Sequence, residues 1–504
     1  MLPLTSPRAA VLLLFLLGAI STLGFAPFYL YPIPIATLAG LFYFVQKSVS
    51  AKQAAWLGFA FGLGFFGAGV SWIYVSLHDF GGMPWWMAGF STFTFCVFLS
   101  LFPALVCYLG RRFWLSENKV AAMLALPLLW VLSEWVRSWI FTGFPWLNIG
   151  YSQVPYSPLS GFVPVLGIYG VSLMTAVMAA MLALWPRKNL RRNIALILVT
   201  LWVIGSVLKL TEWSKPAGAP ISVALLQGNI AQDMKWQPEV VQRTLDQYLA
   251  MAMQSKAQLT VLPETALPML IDQVPADYLA RLKAHAQSNG GDVLVGSVEL
   301  EDGQFYNSML SYGSAPTQAY RKSHLVPFGE FIPLKGVFGW IYRDWLHIPL
   351  TDLSRGSIAQ KPLELAGQKV AVNICYEDVF GEEIIRQLPQ ATILLNASND
   401  AWYGESLAAY QHLQMSQARA LETGRMMLRS TNTGATAIID PQGNVLKQAP
   451  HFTTTVLEGK VQGYSGATPY VRLGNWPIIG FCVGVLIVLI GRRLLSLQRD
   501  RKKK

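Results

Sequence analysis

Charge is scarce in this 504-residue chain. Only 13% of its residues are Asp, Glu, Lys or Arg, against roughly 25% in an ordinary soluble protein. The shortage is uneven. Residues 9–210 are apolar runs broken by short polar loops, 211–470 have ordinary globular composition, and 476–491 are apolar again. Cysteine is scarcer still, with four in all. Cys96, Cys107 and Cys482 fall inside apolar runs and read as small hydrophobes. Cys375 is alone in the globular stretch, which excludes a disulfide within it and marks a thiol worth following. The six histidines never fall in H-x-H or H-E-x-x-H spacing, so no metal site and no cofactor is expected. His324 and His412 read as hydrogen-bonded structural residues. Internal repeats and low-complexity tracts are missing too.

What is abundant is long apolar sequence. A spanning helix needs roughly 20 apolar residues. Eight stretches qualify as expected spans: about 9–25, 33–46, 53–77, 85–109, 120–140, 161–185, 193–210 and 476–491. The second is short and starts beside Pro32 and Pro34. The first also has the look of a signal peptide, but Pro27 follows the only plausible cleavage site and further spans follow. Positive loops stay cytoplasmic. Lys47 and Lys52, then Arg111, Arg112 and Lys119, then Arg187, Lys188, Arg191 and Arg192 occupy every second loop. Arg492, Arg493, Arg499, Arg501, Lys502, Lys503 and Lys504 fill the tail. The alternate loops near 26–32, 78–84 and 141–160 have no Lys or Arg. Both termini are therefore expected in the cytoplasm and the globular stretch on the far side, the periplasm of a bacterium. The expected organisation is a membrane domain over 1–212, a periplasmic domain over 213–470, and a last span with basic tail over 471–504.

The net charge of +11 does not indicate nucleic acid. Residues 205–475 carry 21 Lys and Arg against 24 Asp and Glu, so the positive excess belongs to loops and tail as a topology signal. GLGFFG (62–67) fits G-x-G-x-x-G, but it lies within an apolar run with no preceding strand. Gly58 and Gly62 read better as a close helix-packing pair. Glu134 and Arg137, one turn apart near the end of the fifth run, read as an i,i+3 ion pair or a lipid-headgroup contact.

Within 211–470, continuous apolar strands alternate with helical segments. ISVALLQG, QLTVLPE, DVLVGSVEL, KVAVNICYE and ATILLNASND read as strands, and AAYQHLQMSQARALETG as a long helix. This pattern predicts sheets covered by helices. Three reactive residues fall where strands run into loops: Glu264 closes TVLPE, Lys322 lies in YRKSHLVPFGEFIP, and Cys375 closes VAVNIC. Strand ends are where α/β folds place chemistry. A cysteine nucleophile needs a cation or a base to make its thiolate, and the oxyanion it creates needs positive charge. Each residue alone is more often mundane, a packed thiol or a solvated charge. Together they suffice for acyl transfer through a thioester.

The order Glu264, Lys322, Cys375, with the strings LPET, YRKSHLVPFGEFIP and NICYED, resembles the nitrilase (carbon–nitrogen hydrolase) superfamily. The apolar spans around it, with FGGMP, TGFPWLNIGYSQ, NDAWYGES, LRSTNTG and GNWP, resemble that superfamily's bacterial apolipoprotein N-acyltransferase branch over nearly the whole chain. The resemblance implies a fold in which eight transmembrane helices carry an α/β nitrilase-like αββα sandwich. It implies Cys375 as nucleophile, Glu264 as general base and Lys322 as oxyanion stabiliser. Glu330, Tyr376 and Glu377 match the family's supporting residues. Trp236, Trp402 and Tyr403 match its mobile access arms, although such aromatics are as readily core or interface residues.

The implied reaction moves an acyl chain from a phospholipid, through a Cys375 thioester, to the α-amine of a lipoprotein's diacylglyceryl-cysteine. It implies an inner-membrane monomer that binds no nucleic acid. Two other readings stand beside it. A membrane-tethered amidase would share the three residues without needing eight spans. A transporter with an inactive sensor domain would need ionisable residues within several spans, and these are almost missing.

Overall fold

The computed structural model describes residues 7–115, 119–333, 336 and 352–502. Lys503 and Lys504 of the basic tail lie outside the described residues. The chain divides into two compact units. One comprises Met1–Tyr74, Trp85–Thr211 and Leu473–Lys504, the other Val75–Pro84 and Glu212–Arg472.

The first unit is helical. Helices occupy Pro7–Ser21, Pro32–Lys47, Ala51–Gly69, Trp85–Gly110, Lys119–Arg137, Val163–Ala183, Arg191–Lys209 and Trp476–Lys502. Among the described residues, four helical stretches are long and apolar enough to cross a membrane: Trp85–Phe113, Pro158–Ala183, Lys188–Lys209 and Trp476–Leu495. A fifth candidate is Ala51–Gly69 with Ile73–Phe80, bent by 55° where one straight span over 53–77 was expected. The first two helices have 15 and 16 residues, about 22–24 Å at 1.5 Å per residue, short of a hydrocarbon core of roughly 30 Å.

Glycines let these helices touch backbone to backbone. A Cβ on Gly58 would lie 2.5 Å from the Pro103 carbonyl oxygen, and one on Gly64 would lie 1.9 Å from that of Phe15. Helix Ala51–Gly69 is thus pressed against Trp85–Gly110 on one side and Pro7–Ser21 on the other. Glu134 and Arg137 are buried, and both reach the loop that follows. Glu134 Oε1 accepts from the Ile149 N–H at 2.7 Å and from Trp130 Nε1 at 2.9 Å. Arg137 donates to the carbonyls of Phe144 and Trp146, both at 2.6 Å, and to Asn148 Oδ1 at 2.7 Å. The pair therefore holds the 144–149 loop against the helix end.

The second unit is a sandwich of two six-stranded sheets. Its strands are β1 (Ile221–Gln227), β2 (Leu259–Val261), β3 (Asp292–Glu301), β4 (Gln304–Gly313), β5 (Ala319–Arg321), β6 (Leu363–Leu365), β7 (Gln368–Ile374), β8 (Ile393–Ser398), β9 (Met427–Thr431), β10 (Ala437–Ile439), β11 (Val445–Gln448) and β12 (Thr455–Val461). The sheet orders are β12-β1-β2-β3-β4-β5 and β11-β10-β9-β8-β7-β6. Each has three parallel strands at its centre, β1-β2-β3 and β7-β8-β9, with antiparallel strands outside them.

Alternation along the strands builds the layers. Val223, Leu225, Val261, Val370, Val372, Ile374 and Leu395 share one buried core between the sheets. Ala224 and Leu226 face outward to helices Pro238–Gln254 and Ala276–Ser288. Ala371 and Leu394 face helix Ala408–Thr423. Both faces of each sheet are covered, so the strands read as continuous apolar runs rather than alternating ones.

Candidate active site

The parallel strands end on one edge of the sandwich, and polar residues collect there. Glu264 lies three residues beyond β2. The turn is tight, because a Cβ on Gly296 of the neighbouring strand would lie 2.2 Å from the Pro263 oxygen. Lys322 follows β5 directly and is only 1% exposed. Its Nζ lies 2.8 Å from Glu330 Oε1 and 3.3 Å from Glu264 Oε1. Asn307, on β4, donates to both carboxylates, at 2.8 Å to Glu264 and 3.2 Å to Glu330. From the other sheet, the Asn399 N–H donates to Glu264 Oε2 at 2.9 Å.

Cys375 follows β7 directly, with φ of +51°. That left-handed conformation costs a non-glycine residue about 1–3 kcal/mol and persists only where the surroundings enforce it. The Cys375 carbonyl accepts from Asn396 Nδ2 at 3.1 Å and meets His412 Nε2 at 3.2 Å. Burial pushes the thiol well above the usual range, Glu264 pushes it further, and Lys322 pulls it back. The resting residue is thus a neutral thiol. Burial opposes charge on Glu264 as well, but Lys322, Asn307 and Lys235 together hold its carboxyl below the ordinary value. Burial would also neutralise Lys322, yet Glu264 and Glu330 hold it firmly protonated. The ground state is a thiol beside a carboxylate–ammonium–carboxylate cluster.

Glu377 is buried and accepts hydrogen bonds on both of its oxygens. Its Oε1 accepts from the Ser323 N–H at 2.6 Å, the Ser323 hydroxyl at 2.8 Å and the His324 N–H at 3.1 Å. Its Oε2 accepts from the Ile374 N–H at 2.7 Å and the Tyr320 hydroxyl at 3.0 Å. One buried carboxylate so ties the segment after Lys322 to the residue before Cys375. Burial raises its pKa, opposed by the N–H groups of Ile374 and Ser323. Tyr376 packs edge-on against Phe380 and His324, and His324 stacks on Phe380 and meets Glu383 at 3.1 Å.

The expected arm residues sit on loops beside this cluster. Trp236 is 55% exposed, and the adjacent Lys235 is buried with its Nζ 3.5 Å from the Glu264 carbonyl. Burial brings Lys235 down to about 8, against the pull of Glu264. Trp402 is partly exposed, packs edge-on against Phe80, and accepts at its carbonyl from the Ser76 hydroxyl at 2.8 Å. Tyr403 packs edge-on to His412.

Several residues of this site escape a reading by motif. Asn307 is a polar residue within the apolar string FYNSMLSY, which is its only signal. Asn399 and Asp400 close ATILLNASND as Glu264 closes its own strand, and Lys235 adjoins the already noted Trp236. Among the described residues no group of His, Cys, Asp and Glu could hold a metal ion.

Residues 17–181 match the family model described as apolipoprotein N-acyltransferase N-terminal domain, and residues 222–470 match that described as carbon–nitrogen hydrolase. An apolipoprotein N-acyltransferase of Nitrosomonas europaea is 53% identical over 95% of this chain and 97% of its own. One of Chromobacterium violaceum is 44% identical over 96% and 95%. Among solved structures, a carbon–nitrogen hydrolase superfamily protein of Xanthomonas campestris aligns with 52% of this chain and 97% of its own, at 17% identity and a TM-score of 0.38. With near full-length identity above half to one such relative, the chain belongs to the apolipoprotein N-acyltransferase family.

Proposed function

We propose that this acyltransferase takes an acyl chain from a phospholipid, with phosphatidylethanolamine the expected donor, onto Cys375. It then passes the chain to the α-amine of a lipoprotein's N-terminal diacylglyceryl-cysteine. The carrying observation is that Cys375, held at φ of +51° directly after its strand, meets the buried Glu264–Lys322 pair at the same edge of the sandwich. Large apolar side chains on the surrounding loops add support: Met234, Trp236, Phe328 and Trp402 are all at least 40% exposed. Exposed apolar surface next to a buried polar cluster suits an ester whose tails are hydrocarbon.

In this reading Glu264 takes the thiol proton as sulfur attacks the ester carbonyl. Transfer is uphill in the resting site, so thiolate forms only as the carbonyl is attacked. Lys322 holds the resulting oxyanion. Collapse expels the lysophospholipid, which takes the proton from Glu264, and leaves a thioester. The lipoprotein amine then attacks, gives a proton to Glu264, and the returning thiolate recovers it. The second product is an amide. Glu330 holds Lys322 in place, Glu377 and Tyr376 brace the thiol's turn, and Trp236, Trp402 and Tyr403 exclude water from the thioester.

Both substrates are anchored in a bilayer by their acyl chains, which gives a reason for apolar helices and a hydrolase-type sandwich in one chain. We place 1–212 and 471–504 in the inner membrane as eight spans, the termini in the cytoplasm, and 213–470 in the periplasm. The working form in this proposal is a monomer. Intact mass after incubation with phosphatidylethanolamine, alongside Cys375→Ser, tests the reaction. A hydroxylamine-sensitive gain of one acyl chain on the unmutated protein alone supports it. Ammonia release from small amides without any adduct would replace it with a tethered amidase.

A further inference from the structure

A second buried polar cluster adjoins Cys375, and the reaction above does not use it. Asp378, Asn396, Asp400, His412, Ser416 and Arg429 are each no more than 2% exposed. Arg429 organises them. Its Nη2 donates to Asp400 Oδ2 at 2.9 Å, and its Nη1 donates to Asn396 Oδ1 at 2.7 Å and Ser416 Oγ at 3.0 Å. Its Nη2 also stands 2.7 Å from His412 Nδ1. A guanidinium only donates. Nδ1 must therefore offer its lone pair, and the ring proton sits on Nε2. Nε2 is the atom 3.2 Å from the Cys375 carbonyl. Asp400 Oδ1, 3.3 Å from Nδ1, is the longer contact to that nitrogen, and it also accepts from the Ser398 hydroxyl at 2.8 Å and from Arg429 Nη2 at 3.2 Å.

We propose that His412 is a positioning residue for acyl transfer: as a neutral imidazole set in its Nε2–H form by Arg429, it pins the Cys375 carbonyl and so holds the thiol's left-handed turn in its reactive orientation. Asn396 holds the same oxygen from the neighbouring strand. Two donors on one carbonyl fix the peptide plane after a residue whose φ is +51°. Without them the turn relaxes, and Sγ swings away from the carbonyl it must attack. Ser398, on the same strand as Asn396, donates to Asp400 at 2.8 Å and so belongs to the same cluster. The inference rests on Cys375 being the nucleophile.

Its test uses the full-length protein in detergent with phosphatidylethanolamine, reading Cys375 acylation by rapid-quench intact mass. His412→Phe removes the donor and should slow acylation about a hundredfold, the scale of a reacting atom misplaced by roughly 1 Å, with the half-saturating lipid concentration unchanged. His412→Gln keeps an N–H at the Nε2 position and should restore the rate to within about tenfold of the unmutated protein, one hydrogen bond's worth. A rate for His412→Phe within about threefold of the unmutated protein, or a loss confined to half-saturation, overturns the proposal. Should His412→Phe fail to fold, nitrogen-15 histidine NMR of the unmutated protein decides, with His412→Gln giving the assignment. A protonated Nε2 beside a bare Nδ1 upholds the clamp. A proton on Nδ1, or an imidazolium, overturns it. That spectrum needs no substrate, so it separates failure of the clamp from failure of the acyl-enzyme, which would appear as no adduct on the unmutated protein.

Discussion

Lys322 lies nearer to Glu330 than to Glu264, at 2.8 Å against 3.3 Å. Its ammonium is thus anchored on one carboxylate and leans toward the other. Glu330→Gln removes the stronger anchor while keeping the shape. Lys322 should then close fully onto Glu264 and hold that base in an ion pair. Acylation of Cys375 should fall by about a hundredfold at unchanged lipid half-saturation. Stopped-flow or rapid-quench mass measurements would detect it, and an unchanged rate would show that Glu330 has no part in placing Lys322.

The thiol's environment predicts an unusual pH profile. Burial and Glu264 raise its pKa, outweighing Lys322. A raised acid has less thiolate at any given pH, and that fraction grows about tenfold per unit until the pKa is reached. Iodoacetamide alkylation of the resting enzyme should therefore climb steadily between about pH 7 and 9.5 with no plateau. A plateau near neutrality would mean a preformed thiolate.

Glu377 should be intolerant of even its closest substitute. Five donors converge on its two oxygens. In Glu377→Gln one oxygen becomes an amide that itself donates, leaving buried donors face to face. We expect a loss of about 2 kcal/mol, seen as a melting midpoint lower by several degrees, together with slower acylation as the Lys322 segment comes loose.

The helical unit offers a paired test. Gly64→Ala would drive a methyl to 1.9 Å from the Phe15 oxygen, whereas nothing lies within 4 Å of a Cβ at Gly67. Gly64→Ala should destabilise by about 1–3 kcal/mol or more. Gly67→Ala should be neutral or stabilising by up to about 1 kcal/mol, since alanine is the better helix former. Thermal melts of the two variants in the same detergent would compare them.

The sequence disclosed this fold unevenly, for physical reasons. The strands ISVALLQ and KVAVNI are legible because burial on both faces demands unbroken apolar residues. Glu264, Lys322 and Cys375 are visible because they interrupt apolar runs at strand ends. Asn307 and Arg429 are much less so, since a single polar residue within a strand announces neither its partner nor its direction. The bend after Gly69 is hidden because the sequence through Val70, Trp72 and Ile73 stays apolar across it. The reach of Glu377 toward Ser323 could not be read at all, because it depends on how segments 54 residues apart are brought side by side.

The site is divided between the two sheets. Glu264, Asn307 and Lys322 come from one, while Cys375, Asn396 and Asn399 come from the other. No single sheet contains a working set. The gap between nucleophile and base is therefore set by how Val223, Leu225, Val372 and Leu395 interlock in the shared core. A slip of one residue along a strand is about 3.3 Å, as long as the Lys322–Glu264 contact itself. Turnover thus gauges the alignment of two stacked surfaces, and small errors of core packing should appear as lost chemistry well before they appear as lost structure.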